Sequence, residues 1–350
     1  MLSDSLATPP PNTSWRSRRT LLGLGAGIVI GAIALYVVNS LAGGFGEILD
    51  ALAGADPWWL LGALAAEVLC YGVIGLELRT LIYPVTPRLT VALRAGLVNS
   101  GLGPILPGSP APGIALAVTQ LHRHGVPTGK AALALGWMSW FSARSLLAIT
   151  AVITLVAAAE GDFSSERTGV AVAVAAVGGL LLVMTGMLMA RGAGAEWAAA
   201  LVNRLKLRGP RPPRDEARAA GARWHADAME AVGRFPRRIR IALLSASAWL
   251  ADAGCLYLAL RAVGVHVGFE ILLLAYCAGL LSSALPLLPG GLGVVEAAVP
   301  AILHQYGIPL DAALAGTLAW RGLALFLPAL AGLVALASLR MASAAVAVPA

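Results

Sequence analysis

Charge is scarce in this sequence. Asp, Glu, Lys and Arg supply only 12% of its 350 residues, about half the share usual in soluble domains. With 58% hydrophobic residues beside it, that scarcity excludes a soluble globular fold and fits a helical protein with several membrane spans. Cysteine is nearly absent. Cys70, Cys255 and Cys277 each lie in an apolar run without metal-ligand spacing, so neither a disulfide framework nor a zinc site is expected. No Walker loop, His/Glu metal motif, Ser/His/Asp set or pair of catalytic carboxylates stands out. The expectation is therefore a protein that is not an enzyme and needs no cofactor or metal. The net charge of +7 does not point to nucleic acid, because the basic residues flank the apolar runs.

What the sequence has in plenty is apolar runs of spanning length, at 21–41, 58–81, 130–158, 168–190, 241–263 and 311–339. Each is near the roughly 20 residues a bilayer requires. Two more apolar segments, 89–124 and 268–306, are broken in the middle by Pro/Gly clusters. Their halves are short for a crossing, so each reads as a hairpin that enters and leaves on one side. The expected fold is an all-α integral membrane protein, with about six full transmembrane helices plus two re-entrant broken-helix hairpins. Residues 1–20 read as a disordered cytoplasmic tail, 21–190 and 241–340 as the membrane halves, 191–240 as a basic cytoplasmic linker and 341–350 as a second tail. The run 21–41 follows Arg16, Arg18 and Arg19 but is long for a cleaved signal peptide, so it reads as an uncleaved span.

Loop charges orient this topology. With the N-terminus in the cytoplasm, that side carries Arg16, Arg18, Arg19, Arg79, Arg88, Arg94, Arg123, Lys130, twelve Lys/Arg between Arg191 and Arg240, and Arg340. The external loops carry Arg167 and Arg261 only, beside Glu47, Asp50, Asp56, Glu160, Asp162 and Glu166. Such a bias predicts both termini in the cytoplasm and a multi-pass protein of the cytoplasmic (inner) membrane.

A shift of 182 residues lays the chain on itself. Pro104-Ile105-Leu106-Pro107-Gly108 then meets Pro286-Leu287-Leu288-Pro289-Gly290, Leu121-His122 meets Leu303-His304, and Gly125-Val126-Pro127 meets Gly307-Ile308-Pro309. The first copy is 58–158 and the second lies in 241–340. Three spans separate their starts, an odd number, so the copies are expected to be inverted in the membrane. Inverted repeats with broken segments meeting near the midplane are the architecture of alternating-access carriers.

The second break, Pro286 to Glu296, places prolines, glycines and a carboxylate at membrane depth. Broken backbone persists there only when it is buried in protein or lines a wet cavity. Polar residues inside spans are costly; here they are Glu67, Arg144, Asp252 and Arg321, with Glu296 beside the break. They either line a cavity and meet a polar substrate, or pair with one another and lock helices together. Guanidinium groups in a low-dielectric cavity hold phosphate or carboxylate well. The helix start after Gly290, Gly291 and Gly293 adds backbone N–H groups and a positive dipole end. Glu296 also has a ligand-free reading, since an acidic first turn stabilises the helix dipole. His122 and His304 match across the repeat and read as surface or capping residues.

Pro289-Gly290-Gly291-Leu292-Gly293-Val294-Val295-Glu296, then Gly307-Ile308, Trp320-Arg321 and Pro328, resemble the C-terminal signature of the lysylphosphatidylglycerol synthase transmembrane-region family (the UPF0104 group). That family includes the flippase domain of the bacterial multiple peptide resistance factor. The resemblance spans nearly all of residues 20–340 and implies movement of a lipid or lipid-linked headgroup between leaflets. It points to Glu296 and Arg321, with Gly290, Gly291 and Gly293 forming the break, and places Arg144 roughly where members carry an arginine in the first half. Similar proteins often have an Arg and a Gly-Glu pair after the first break, whereas Gly108-Ser109-Pro110-Ala111-Pro112-Gly113-Ile114 has neither charge. A chain ending at 350 leaves no room for a soluble aminoacyl-transferase domain, so lysyl transfer is not expected.

The function expected is a flippase-like transporter of an anionic phospholipid or a polyprenyl-phosphate-linked lipid. Substrate-binding candidates are Arg321, Arg144, Glu296, Gly290, Gly291, Gly293, Glu67 and Asp252. The alternative is a non-transporting membrane scaffold for a glycosyltransferase or lipid synthase, acting through 191–240.

Overall fold

The computed structural model describes residues 45–106, 111–159, 232–283 and 291–346, with a few isolated positions between 180 and 230. The described residues hold helices and turns and no strand. In chain order the helices are α1 Phe45–Ala53, α2 Pro57–Ile82, α3 Leu89–Gly96, α4 Ala111–Arg123, α5 Thr128–Ala159, α6 Phe235–Ala262, α7 Phe269–Ser283, α8 Val294–Gln305, α9 Leu310–Arg321 and α10 Leu327–Val346. A π turn, Leu97–Leu102, and a 3-10 turn, Gly103–Ile105, prolong α3; a second π turn, Gly322–Phe326, joins α9 to α10.

Four helical stretches are long and apolar enough to cross a membrane: Pro57–Ile82, Thr128–Val156, Phe235–Ala262 and Leu310–Ala335. They match four of the six expected spans, and the protein is an all-α membrane protein. The expected spans 21–41 and 168–190, the first tail and most of the basic linker lie outside the described residues. The broken segments are helix pairs, α3/α4 and α7/α8, with their tips 107–110 and 284–290 likewise outside.

Local chemistry explains the helix starts. The Asp56 carboxylate accepts the Trp58 N–H at 2.8 Å, and Pro57 takes a first-turn position where its missing N–H costs nothing. The span expected from 241 begins six residues earlier, at Phe235, where Pro236 suits the first turn and Arg237 and Arg238 donate to backbone carbonyls. Arg237 donates to the Thr80 carbonyl and lies 5.3 Å from the Tyr83 ring centroid.

That contact fixes orientation. The start of α6 meets the end of α2, while at the opposite end the Asp56 N–H donates to the Ala262 carbonyl at 2.8 Å. Helices α2 and α6, the repeat equivalents, therefore run antiparallel, as inversion requires. They make the most extensive helix packing among the described elements. The repeat also holds in detail. Gly125 and Gly307 have φ of 86° and 85°. In both turns the glycine N–H bonds the carbonyl of the histidine three residues back, and the next residue's N–H bonds the leucine before that histidine. Glycine adopts this left-handed backbone without steric cost, which ends α4 and α8 alike.

Two apolar cores follow from the inversion. One gathers the end of α2, helices α3 and α4 and the start of α5, around Leu78, Leu81, Leu121 and Leu135. The other gathers the end of α6, helices α7 and α8 and the start of α9, around Leu256, Leu260, Leu272 and Leu303. Because α2 and α6 are antiparallel, the hairpins sit at opposite ends of the molecule.

Candidate functional site

The site begins where α8 begins. Gly291 and Gly293 have φ of 64° and 82°, a region that costs a non-glycine residue about 1–2 kcal/mol. Gly290 lies outside the described residues. In the first turn of α8, Glu296 turns back on its own helix start, and its Oε2 accepts the Gly293 N–H at 2.7 Å. The N–H that the sequence reading offered to a substrate anion is thus held by a carboxylate of the chain itself. The other oxygen, Oε1, accepts Arg321 Nε at 2.6 Å, with both side chains 7% exposed. Glu296 thus shows two ligand-free roles at once: it caps its own helix and pairs with an arginine.

Arg321 is the last residue of α9, and the π turn from Gly322 follows it. Such π turns re-aim side chains and often mark functional sites. The position falls midway along the span Leu310–Ala335. A buried guanidinium there needs a counter-charge, since removing one member of such a pair strands the other.

A second cluster surrounds Asp252 on α6. Its Oδ2 accepts the Tyr276 O–H at 2.7 Å from α7, and its Oδ1 accepts the Trp320 Nε1–H at 2.7 Å from α9. The two rings pack with centroids 5.6 Å apart. Glu67 reaches in from α2 as the neighbouring carboxyl, close enough for the two acids to act on each other electrostatically. It is 4% exposed, and its Oε2 has no hydrogen-bond partner. Carboxylate oxygens only accept, so two neighbouring carboxyls can bond one another only when one of them holds a proton. The clusters are joined covalently: Trp320 binds Asp252, and its neighbour Arg321 binds Glu296.

The structure thus brings Glu67 to Asp252 and Glu296 to Arg321 and Gly293. Arg144 takes another partner. Its guanidinium lies 4.5 Å from the Trp140 ring centroid, one turn back on α5, whereas the bonds described at Arg321 and Asp252 come from α2 and α6 to α9. His122 and His304 are exposed beside the repeat turns. His304 Nδ1 donates to the Ile308 carbonyl oxygen at 3.0 Å and His122 Nδ1 lies 3.3 Å from Thr128 Oγ1, which suits the capping role expected of them.

Sequence reasoning missed Tyr276 and Trp320 as partners of Asp252. Trp320 stood beside Arg321 in a quoted motif, but Tyr276 sits in an apolar run and shows its role only in three dimensions. Glu77 was also passed over. It is 2% exposed on α2, with Oε1 lacking a partner, and in sequence it resembles an interfacial residue beside Arg79.

Residues 24–332 match the model of a family described as the lysylphosphatidylglycerol synthase TM region. The chain is also similar to a "UPF0104 membrane protein" of Methanothermobacter thermautotrophicus, with 26% identity over 327 residues, covering 88% of this chain and 92% of the relative. The matched residues contain α1 to α9, both broken segments and the Glu296–Arg321 pair, and the chain belongs to the lysylphosphatidylglycerol synthase transmembrane-region family.

Proposed function

We propose that this protein moves the headgroup of an anionic lipid, a phospholipid or a polyprenyl-phosphate-linked lipid, across the cytoplasmic membrane by alternating access. The observation that carries this reading is the buried Arg321–Glu296 pair at the start of a broken half-helix midway along a span. Arg321 is the group that holds the phosphate, and Glu296 is the internal anion the phosphate displaces. The exchange keeps Arg321 paired throughout, which avoids the cost of a lone buried cation. The family description names a lipid synthase region, which agrees with a lipid substrate. The antiparallel repeat supplies two hairpins at opposite ends, one for each facing state. In this reading both termini are cytoplasmic, and the chain performs no covalent chemistry.

The test is reconstitution into liposomes containing fluorescent phosphatidylglycerol or a fluorescent polyprenyl phosphate, with dithionite quenching to follow leaflet exchange. Wild-type protein accelerates exchange of one class. Arg321→Ala and Glu296→Ala abolish the acceleration while still inserting. Equal exchange in wild type and both variants overturns the assignment.

A further inference from the structure

We propose that Glu67 and Asp252 form a proton-binding carboxyl pair that takes up one proton when an anionic headgroup binds Arg321. The inference rests on the reading of Arg321 above and adds the coupling ion to it.

The argument starts from charge. Arg321 and Glu296 neutralise each other; Glu67 and Asp252 are two buried neighbouring acids with no cation bonded to either among the described residues, and in this proposal they hold one proton, and so one negative charge, between them. A phosphate arriving at Arg321 releases the Glu296 carboxylate and adds a negative charge to a region where uncompensated charge is costly. One proton balances it. Glu67 Oε2 is the oxygen placed to accept that proton, being buried and without a partner. Asp252 is held by two donors, Tyr276 and Trp320, so its oxygens are already engaged.

Among the described residues the rival acceptor is Glu296 of α8 itself, whose Oε2 stays engaged by the Gly293 N–H when Arg321 leaves. Helix α2 adds Cys70 and Tyr71 beside Glu67, and α6 adds Cys255. Helix α7 presents the Tyr276 hydroxyl and α9 presents Arg321. From α5, Arg144 is stacked on Trp140. The link between the sites is short: the indole that binds Asp252 belongs to the residue preceding Arg321. A shift of Arg321 from Glu296 to a phosphate moves the backbone that carries Trp320. The proton adds to a carboxylate oxygen as O–H on the side from which the headgroup enters. It leaves to water on the other side as the phosphate departs and Arg321 returns to Glu296.

The experiment is a titration of full-length protein, in nanodiscs of phosphatidylcholine, with phosphatidylglycerol over a series of pH values. The probe is a phosphodiester, which has no titration of its own near neutrality; a phosphomonoester has a second pKa near about 6. Uptake of one proton makes the affinity fall about tenfold per pH unit as pH rises. Glu67→Gln with Asp252→Asn makes the affinity independent of pH, and Arg321→Ala removes the saturable binding. Gel filtration and retained phosphatidylcholine report whether each variant is folded. Tyr276→Phe is a second variant, expected to shift the pH range of the dependence without removing it. Binding that needs Arg321 but is flat with pH in the wild type overturns the coupling and leaves the lipid reading intact. So does a pH slope that survives Glu67→Gln with Asp252→Asn and disappears in Glu296→Gln. Absence of any binding that needs Arg321, with phosphatidylglycerol and equally with a polyprenyl phosphodiester in its place, overturns the lipid reading and the coupling together.

Discussion

Arg321 Nε and Glu296 Oε1 lie 2.6 Å apart although 25 residues separate them in the chain, and both side chains are 7% exposed. The contact ties the first turn of α8 to the last turn of α9 and places a charge pair where the backbone is irregular on both sides. A pair so placed contributes little net stability, since desolvation offsets much of the Coulomb gain. Its partners are nonetheless strongly dependent on each other.

That dependence predicts a non-additive double-mutant cycle. Glu296→Ala alone should destabilise the protein by about 3–5 kcal/mol, because it strands a buried cation. Glu296→Ala combined with Arg321→Met should recover most of that loss without restoring lipid movement. Thermal unfolding in detergent, read beside the liposome assay, checks both halves. Additive losses would show that the two side chains are not coupled.

The left-handed glycines predict a separation of strain from site. Gly293→Ala and Gly307→Ala impose the same backbone strain, about 1–2 kcal/mol, since both positions have φ above 80°. A Cβ at Gly307 meets nothing within 4 Å. Both variants should lower the unfolding temperature, but only Gly293→Ala should also impair lipid exchange, because it displaces the N–H that Glu296 holds. Equal exchange in the two variants counts against the role of the break.

Inversion predicts opposite accessibility for matched positions. His122 and His304 occupy the same turn of the two repeats and are exposed. In sealed right-side-out vesicles, a membrane-impermeant maleimide should modify His304→Cys and spare His122→Cys. The native cysteines are buried, which keeps the background low. Labelling of both from the same side would exclude the inverted arrangement.

The donors to Asp252 predict a modest stability cost with a specific origin. Tyr276→Phe keeps the ring and removes one 2.7 Å bond, for an expected loss of about 1–3 kcal/mol. Leu273→Ala, from the same helix and the same core, serves as a packing control without a polar partner. If Tyr276→Phe is silent, the Asp252 hydrogen bonds contribute nothing to holding α7 against α6.

Removing residues 195–225 separates transporter from scaffold. A transporter whose site lies between α2, α6, α8 and α9 should keep lipid exchange in liposomes. Loss of function in cells with exchange intact would favour a docking role for the basic segment.

The sequence by itself determined the class of fold. Membrane spans need about 20 apolar residues, and that requirement is visible as run length, which is why four spans emerge within a few residues of their expected bounds. The repeat was legible too, because Gly125 and Gly307 are fixed by the same backbone conformation and His122 and His304 stand in the same register. Glu296, Arg321, Asp252 and Glu67 could be named because any ionisable group in a span is conspicuous. Their pairing could not be. Helical spans are apolar all round, so periodicity does not say which face meets which neighbour. Only the antiparallel packing of α2 on α6 decided that Glu67 meets Asp252, and only the fold of α8 against α9 gave Glu296 to Arg321. Helix packing also brought in Tyr276 and Trp320, whereas Arg144 lies on Trp140 one turn back on its own helix. Partner choice among buried polar groups is a property of helix contacts, and those exist only once the chain has assembled.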